Sequence, residues 1–174
     1  ILDSPDVKET VNRIREDVIL ETVYSFMPPD SVEEQWDVIA LEKKLLADYA
    51  IKISVKSWLK KEPDIAIEGI ANRVKEMANQ SYLTKEKLAG SEALHHFERS
   101  VMLQIIDHHW RSHLSSLDQL RQGIGLRAYG QKDPKQEFKK EAFGLFEKLL
   151  DTIKYETTRV LMLVQIKDES EASS

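Results

Sequence analysis

Cysteine is absent from the 174 residues. That excludes a disulfide scaffold and any thiolate metal site, and it fits a reducing compartment. Basic residues do not exceed acidic ones: 25 Lys and Arg stand against 30 Asp and Glu, for a formal charge of −5. A general nucleic-acid binder would carry the opposite balance, so no nucleic-acid partner is expected. No apolar run approaches the roughly 20 residues that span a bilayer, and no secretory signal is visible. There is no internal repeat. Ile1 in place of Met, and the polar end Lys167–Ser174, read as cuts from something longer, with 167–174 a disordered tail. With 41% apolar and 32% charged residues, the chain is slightly lean for a compact globule and suits helices with wide solvated faces.

What is present is organised around Asp118–Pro134, a stretch holding Gly123, Gly125 and Gly130. Each glycine costs about 1 kcal/mol in a helix interior relative to Ala, so an incoming helix should loosen here, near Gln122. Asp133-Pro134 then offers an N-cap and a first-turn proline, with Gln136 placed to complete a capping box. The reading is a helical hairpin whose turn carries Leu126, Arg127, Tyr129 and Lys132. From Gln119 to Lys140 there are six bases and two acids, a positive turn on an acidic body. It suits an anionic surface or an acidic partner, and Tyr129 among small residues favours contact over mere solubility.

Upstream, Ser4-Pro5 should open a helix striped by Val7, Val11, Ile14 and Val18 and stopping before Pro28-Pro29. Ser31 with Glu34 reads as a capping box opening a helix through Trp36, Ile39, Leu41 and Leu45. Ile51-Lys52-Ile53 is a short extended segment, and Ser54 caps a short helix ending at Pro63. Asp64 should cap a helix running to about Ala89. Gly90-Ser91 breaks the chain, and Ser91 should cap the long helix striped by Leu94, Phe97, Val101, Leu103, Ile106, Trp110, Leu114 and Leu117. The return helix, Pro134 to about Ile166, offers Phe138, Ala142, Leu145, Phe146, Leu149 and Ile153. The fold class is all-α: a small helical bundle (about 5–90) and then a long antiparallel hairpin (about 91–166). Two such long helices cannot build a thick core alone, so a third partner should lie along their side.

Chemistry-bearing patterns are weak. His109 and His113 share a helix face at a zinc-binding spacing, but Trp110-Arg111-Ser112 replaces the glutamate of H-E-x-x-H and no third ligand follows. The glycines lack both the strand of a dinucleotide fingerprint and the Gly-Lys-Ser/Thr of a phosphate loop. Carboxylates alternate with lysines on solvated faces, and Ser112, Ser115 and Ser116 lack a nucleophile elbow. No catalytic residue, metal ligand or cofactor site is assigned. A histidine-based metal hydrolase and a regulatory or dimerising helical module stand as the rival readings.

The segments Val101-Met-Leu-Gln, Asp107-x-x-Trp110-x-x-His113-Leu, Leu120-Arg-Gln-Gly-Ile, Leu126-Arg-x-Tyr129 and Gln131-Lys-Asp-Pro-Lys-Gln-Glu137 closely resemble the C-terminal helical region of the SecA family, the bacterial preprotein translocase ATPases. Ile14-Arg-Glu-Asp-Val, Pro28-Pro29, Glu34-x-Trp36-Asp37 and Trp58-Leu-x-Lys-Glu-Pro63 extend the resemblance upstream, over nearly the whole chain. It implies the end of a scaffold helix at 1–7, a helical wing domain at 8–90 and a two-helix finger at 91–166. It also implies that Tyr129 is the tip aromatic, with Arg127 beside it, facing the SecYEG channel and the translocating preprotein. ATP and magnesium would belong to motor domains absent from this sequence, which are further implied partners. An anionic membrane surface is another candidate partner. The implied location is cytoplasmic, peripheral on the inner membrane. His108-His109 and the small residues Ala128 and Gly130 depart from the family pattern, so the histidines inherit no role from it.

Overall fold

The computed structural model describes residues 6–127 and 133–167. Among the described residues there are six α-helices and no strand: α1 Asp6–Phe26, α2 Val38–Tyr49, α3 Val55–Lys61, α4 Ile67–Ala89, α5 Ser91–Arg127 and α6 Pro134–Leu163. The all-α expectation holds. The chain divides into two compact units, residues 1–99 with 158–174, and residues 100–157.

In the first unit α1 packs against α4 and α2. Val11, Val18, Ile19 and Val23 supply its buried stripe, with Met27 just past its end, and Leu41, Leu45 and Tyr49 of α2 and Ile70, Val74 and Ala78 of α4 are buried with them. Leu94, Leu161 and Met162 complete the core. At roughly 1.5–3 kcal/mol for each large apolar side chain buried, this is the main favourable term holding the unit together.

Helix starts follow local hydrogen bonding, and here the structure corrects several sequence expectations. Ser31 and Glu34 do not open α2. Glu33–Gln35 form a 3₁₀ turn, Trp36 stays outside the helix, and the Oδ1 of Asp37 caps α2 by accepting from Ala40 N. Ser31 is occupied otherwise, accepting a 3.0 Å bond from the indole of Trp36 and donating to the Pro28 carbonyl. Asp64 does not cap α4 either; Ala66 is the N-cap and contributes no side-chain bond. Ser91 is already helical, its hydroxyl bonded to Glu86. Ser54 caps α3 as expected, accepting from Ser57 N. Gly90, at φ +86°, is the one residue between α4 and α5.

A polar cluster threads this unit. The Arg15 guanidinium, buried, donates to Asn79 at 3.2 Å and Asn12 at 2.8 Å and lies 4.3 Å over the Tyr82 ring. Desolvation holds its pKa below the ordinary arginine value, against the pull of Tyr82 and nearby carboxylates. At the far end of α6, the Lys85 ammonium donates to the carbonyls of Leu161 and Met162. These are among the last carbonyls of the helix, which have no partner within it.

Candidate functional site

The second unit, residues 100–157, is built from parts of α5 and α6. Their pairing is antiparallel: His109 Nε2 lies 2.6 Å from Glu156 Oε2, while His113, one turn further along α5, meets the Phe146 ring nearer the start of α6. α5 is 37 residues long, about 55 Å at 1.5 Å per residue. It passes through Gly123 and Gly125 without interruption and is described as far as Arg127. The expected break near Gln122 is therefore wrong. A helical glycine costs only about 1 kcal/mol, which burial of Ile124 between the two is large enough to offset.

Leu126 lies in the last turn of α5 and is 81% exposed. Arg127 is the last described residue of α5. Tyr129 and Lys132 lie outside the described residues. At the start of α6, Asp133 Oδ1 accepts from Lys135 N at 3.0 Å and its carbonyl accepts from Glu137 N, which opens the helix as the sequence suggests. Lys135, Lys139 and Lys140 are exposed in the first turns of α6, and Arg121 is exposed near the end of α5, paired with Asp118 at 3.2 Å. Phe143 follows on α6 at 62% exposure. The described part of this end is thus cationic and carries uncovered apolar side chains.

Along the hairpin, Leu103, Trp110 and Leu114 of α5 and Phe143, Phe146 and Leu150 of α6 are exposed. The spacing within each set places it on one helix face. Trp110 sits 5.5 Å from His113, and His113 6.1 Å from Phe146, so the two stripes meet. Two helices alone leave the side open, which is where a third partner was expected.

The zinc-spaced histidines are engaged in other contacts. His109 faces Glu156, and His113 is buried between two aromatic rings. Among the described residues no three ligand-type side chains converge, and no helix is long and apolar enough to cross a membrane.

Comparison with known proteins gives the chain's family. A family model described as the SecA Wing and Scaffold domain matches residues 1–165. The chain belongs to that family. It is 47% identical over all 174 residues to protein translocase subunit SecA of Methylobacillus flagellatus, and 46% identical over 174 to protein translocase subunit SecA 1 of Nitrosospira multiformis. It is 49% identical over 167 residues, 96% of the chain, to the SecA of Dechloromonas aromatica. It spans only 18–19% of the length of these relatives.

Two features of the first unit escaped sequence reading. The Arg15, Asn79, Tyr82 and Glu98 cluster joins Arg15 to residues 64 to 83 positions further along, with no shared motif. A groove walled by Tyr24 and Trp36 lies beside the 3₁₀ turn Glu33–Gln35, where the sequence predicts the start of a helix.

Proposed function

We propose that this chain is the wing and scaffold portion of a SecA-type protein translocase subunit, and that its hairpin transmits motor movement to a polypeptide in transit. The match to the wing and scaffold family over residues 1–165 carries this reading. The hairpin chemistry supports it. Two long helices packed side by side move their shared end as a unit, because bending them breaks packed rows of side chains. The sequence that joins them is basic and holds Leu126, Arg127, Tyr129 and Lys132. An aromatic and aliphatic tip grips varied polypeptide by apolar and stacking contact without demanding a sequence. The cations suit an acidic channel surface or anionic lipid headgroups.

In this reading the partners are the preprotein, the SecYEG channel and the motor domains of the same subunit, which would cover the open side of α5 and α6. The site of action is the cytoplasmic face of the bacterial inner membrane. ATP and magnesium serve the motor domains, and this portion contributes no catalytic residue.

The test uses the full-length subunit with a photo-crosslinking residue at position 129. Crosslinks to both channel and preprotein during transport, and slowed transport with ATP hydrolysis retained in Tyr129→Ala, are the expected results. Unchanged transport and crosslinking in Tyr129→Ala would remove the gripping role. If the 174-residue chain alters the ATPase rate of a subunit lacking this region without restoring transport, a regulatory module replaces the transmission reading.

A further inference from the structure

We propose that the groove between the end of α1 and the start of α4 is a docking site for an extended, basic polypeptide segment. The proposal rests on the reading that the parent subunit handles polypeptide, and it assigns part of that handling to a face of the wing that the hairpin does not use.

The groove has a volume of about 360 Å³, within the range of roughly 300–1,000 Å³ of ligand-binding clefts. Tyr24, Pro29, Trp36 and Ile65 wall it, with Asp30 and Glu68 also on its lining. Its shape is fixed in advance. Trp36 is held by its indole bond to Ser31, Ser31 by its bond to the Pro28 carbonyl, and the Asp37 amide donates to the Phe26 carbonyl at 3.0 Å. Little side-chain freedom remains to be lost when something binds.

Three properties of the groove select the same occupant. The first is charge: Asp30, Glu33, Glu34 and Asp37 fall within eight positions that hold no base, and all four are exposed. Glu68, on the lining, and Asp64, two residues before the Ala66 N-cap, are exposed as well. Asp30 and Glu68 line the groove, and the other four stand within two positions of a lining residue in sequence; none of the six has a described ion pair, so this face attracts cations and repels phosphates, nucleic acids and anionic headgroups. The second property is the wall itself. Two aromatic rings and a proline pack the aliphatic stems of Lys and Arg, while the rings also attract the cationic heads. The third is the start of α4. Ala66 supplies no side-chain cap, so first-turn amides that have no partner within the helix are left for water or a ligand. Backbone carbonyls of an extended chain satisfy them without regard to sequence. A small cation fails to use the wall, and a neutral apolar molecule fails to use the charge. A basic polypeptide uses all three.

The test measures fluorescence anisotropy of a labelled, end-capped short peptide of Lys, Pro and Val with the 174-residue chain, with photo-crosslinks mapped by mass spectrometry. The peptide is expected to bind, more weakly as salt rises, and to crosslink within 24–36 and 65–68. Asp30→Asn with Glu68→Gln should weaken it about fivefold. Asn keeps the left-handed backbone that residue 30 adopts at φ 62°, and both sites are exposed, so circular dichroism and the melting midpoint should not move. Glu147→Gln with Asp151→Asn, exposed acids of the second unit, should leave binding unchanged. Equal binding of a peptide with Glu in place of Lys, wild-type binding by the Asp30/Glu68 variant, displacement by spermidine at equal charge concentration, or no binding at all would each overturn the proposal. Crosslinking from position 129 is an independent readout, so failure of the groove leaves the hairpin reading standing, and the reverse also holds.

Discussion

The hydroxyl of Tyr82 donates a 2.6 Å hydrogen bond to Oε1 of Glu98, a carboxylate residue only 1% exposed. The other oxygen of Glu98 faces His95 Nδ1 at 3.2 Å, and the guanidinium of Arg15 lies over the Tyr82 ring. A carboxylate taken out of water needs such partners, because losing one leaves its desolvation uncompensated.

Tyr82→Phe keeps the ring and removes the donor. It should destabilise the chain by about 1–3 kcal/mol in urea unfolding. The pH profile gives a second check. Burial first, and then the bond to Glu98, push the Tyr82 phenol above its ordinary value of 10.0. Below about pH 10 the phenol is protonated in both folded and unfolded chains, and its contribution is constant. Above that the unfolded phenol ionises while the folded one does not, so stability falls as pH rises. Stability measured from pH 9 upward should show this alkaline loss in the wild type, and a shallower one in Tyr82→Phe.

Two glycine substitutions should move stability in opposite directions. Gly90 occupies φ +86°, where an L side chain is strained although nothing crowds its Cβ position. Gly90→Ala should therefore cost about 1 kcal/mol or more. Gly125 is helical, and nothing lies within 4 Å of the position a Cβ would take. Gly125→Ala should stabilise by roughly 0.5–1 kcal/mol. Thermal melts of the two variants beside the wild type decide both signs.

Lys85→Met retains the aliphatic stem but deletes the bonds to the Leu161 and Met162 carbonyls. The expected effect is local: about 1 kcal/mol of stability, with faster hydrogen exchange at the Val164 amide, which closes the last turn on the Val160 carbonyl. Lys85→Arg should restore much of the protection, since a cation near the helix C-terminus is retained.

Element type was legible in the sequence and element ends were less so. The apolar periodicity of α1, α4, α5 and α6 is strong enough to mark four long helices, and Pro28-Pro29, Pro63 and Asp133-Pro134 punctuate them correctly. Capping signals misled where a hydroxyl or carboxylate had more than one use. Ser31 serves the Trp36 indole, Ser91 serves Glu86, and Asp64 precedes a loop that delays α4 to Ile67. Gly123 and Gly125 were overweighted, since packing of Ile124 outweighs their propensity. The basic turn was readable as charge, but Tyr129 and Lys132 lie outside the described residues, so their part in the site rests on sequence and family. The buried cluster around Glu98 was invisible, because it depends on three helices meeting and not on any local pattern.

A single residue joins α4 to α5, and Tyr82 and Glu98 stand on either side of that junction, sixteen positions apart. Adding or deleting one residue there would turn every following side chain of α5 by about 100° about its axis. Glu98 would swing off Tyr82, and a different residue would enter the interior in its place. The spacing across the junction is thus as tightly constrained as the identity of the residues it brings together, and length variation in this family should be tolerated elsewhere before it is tolerated at Gly90.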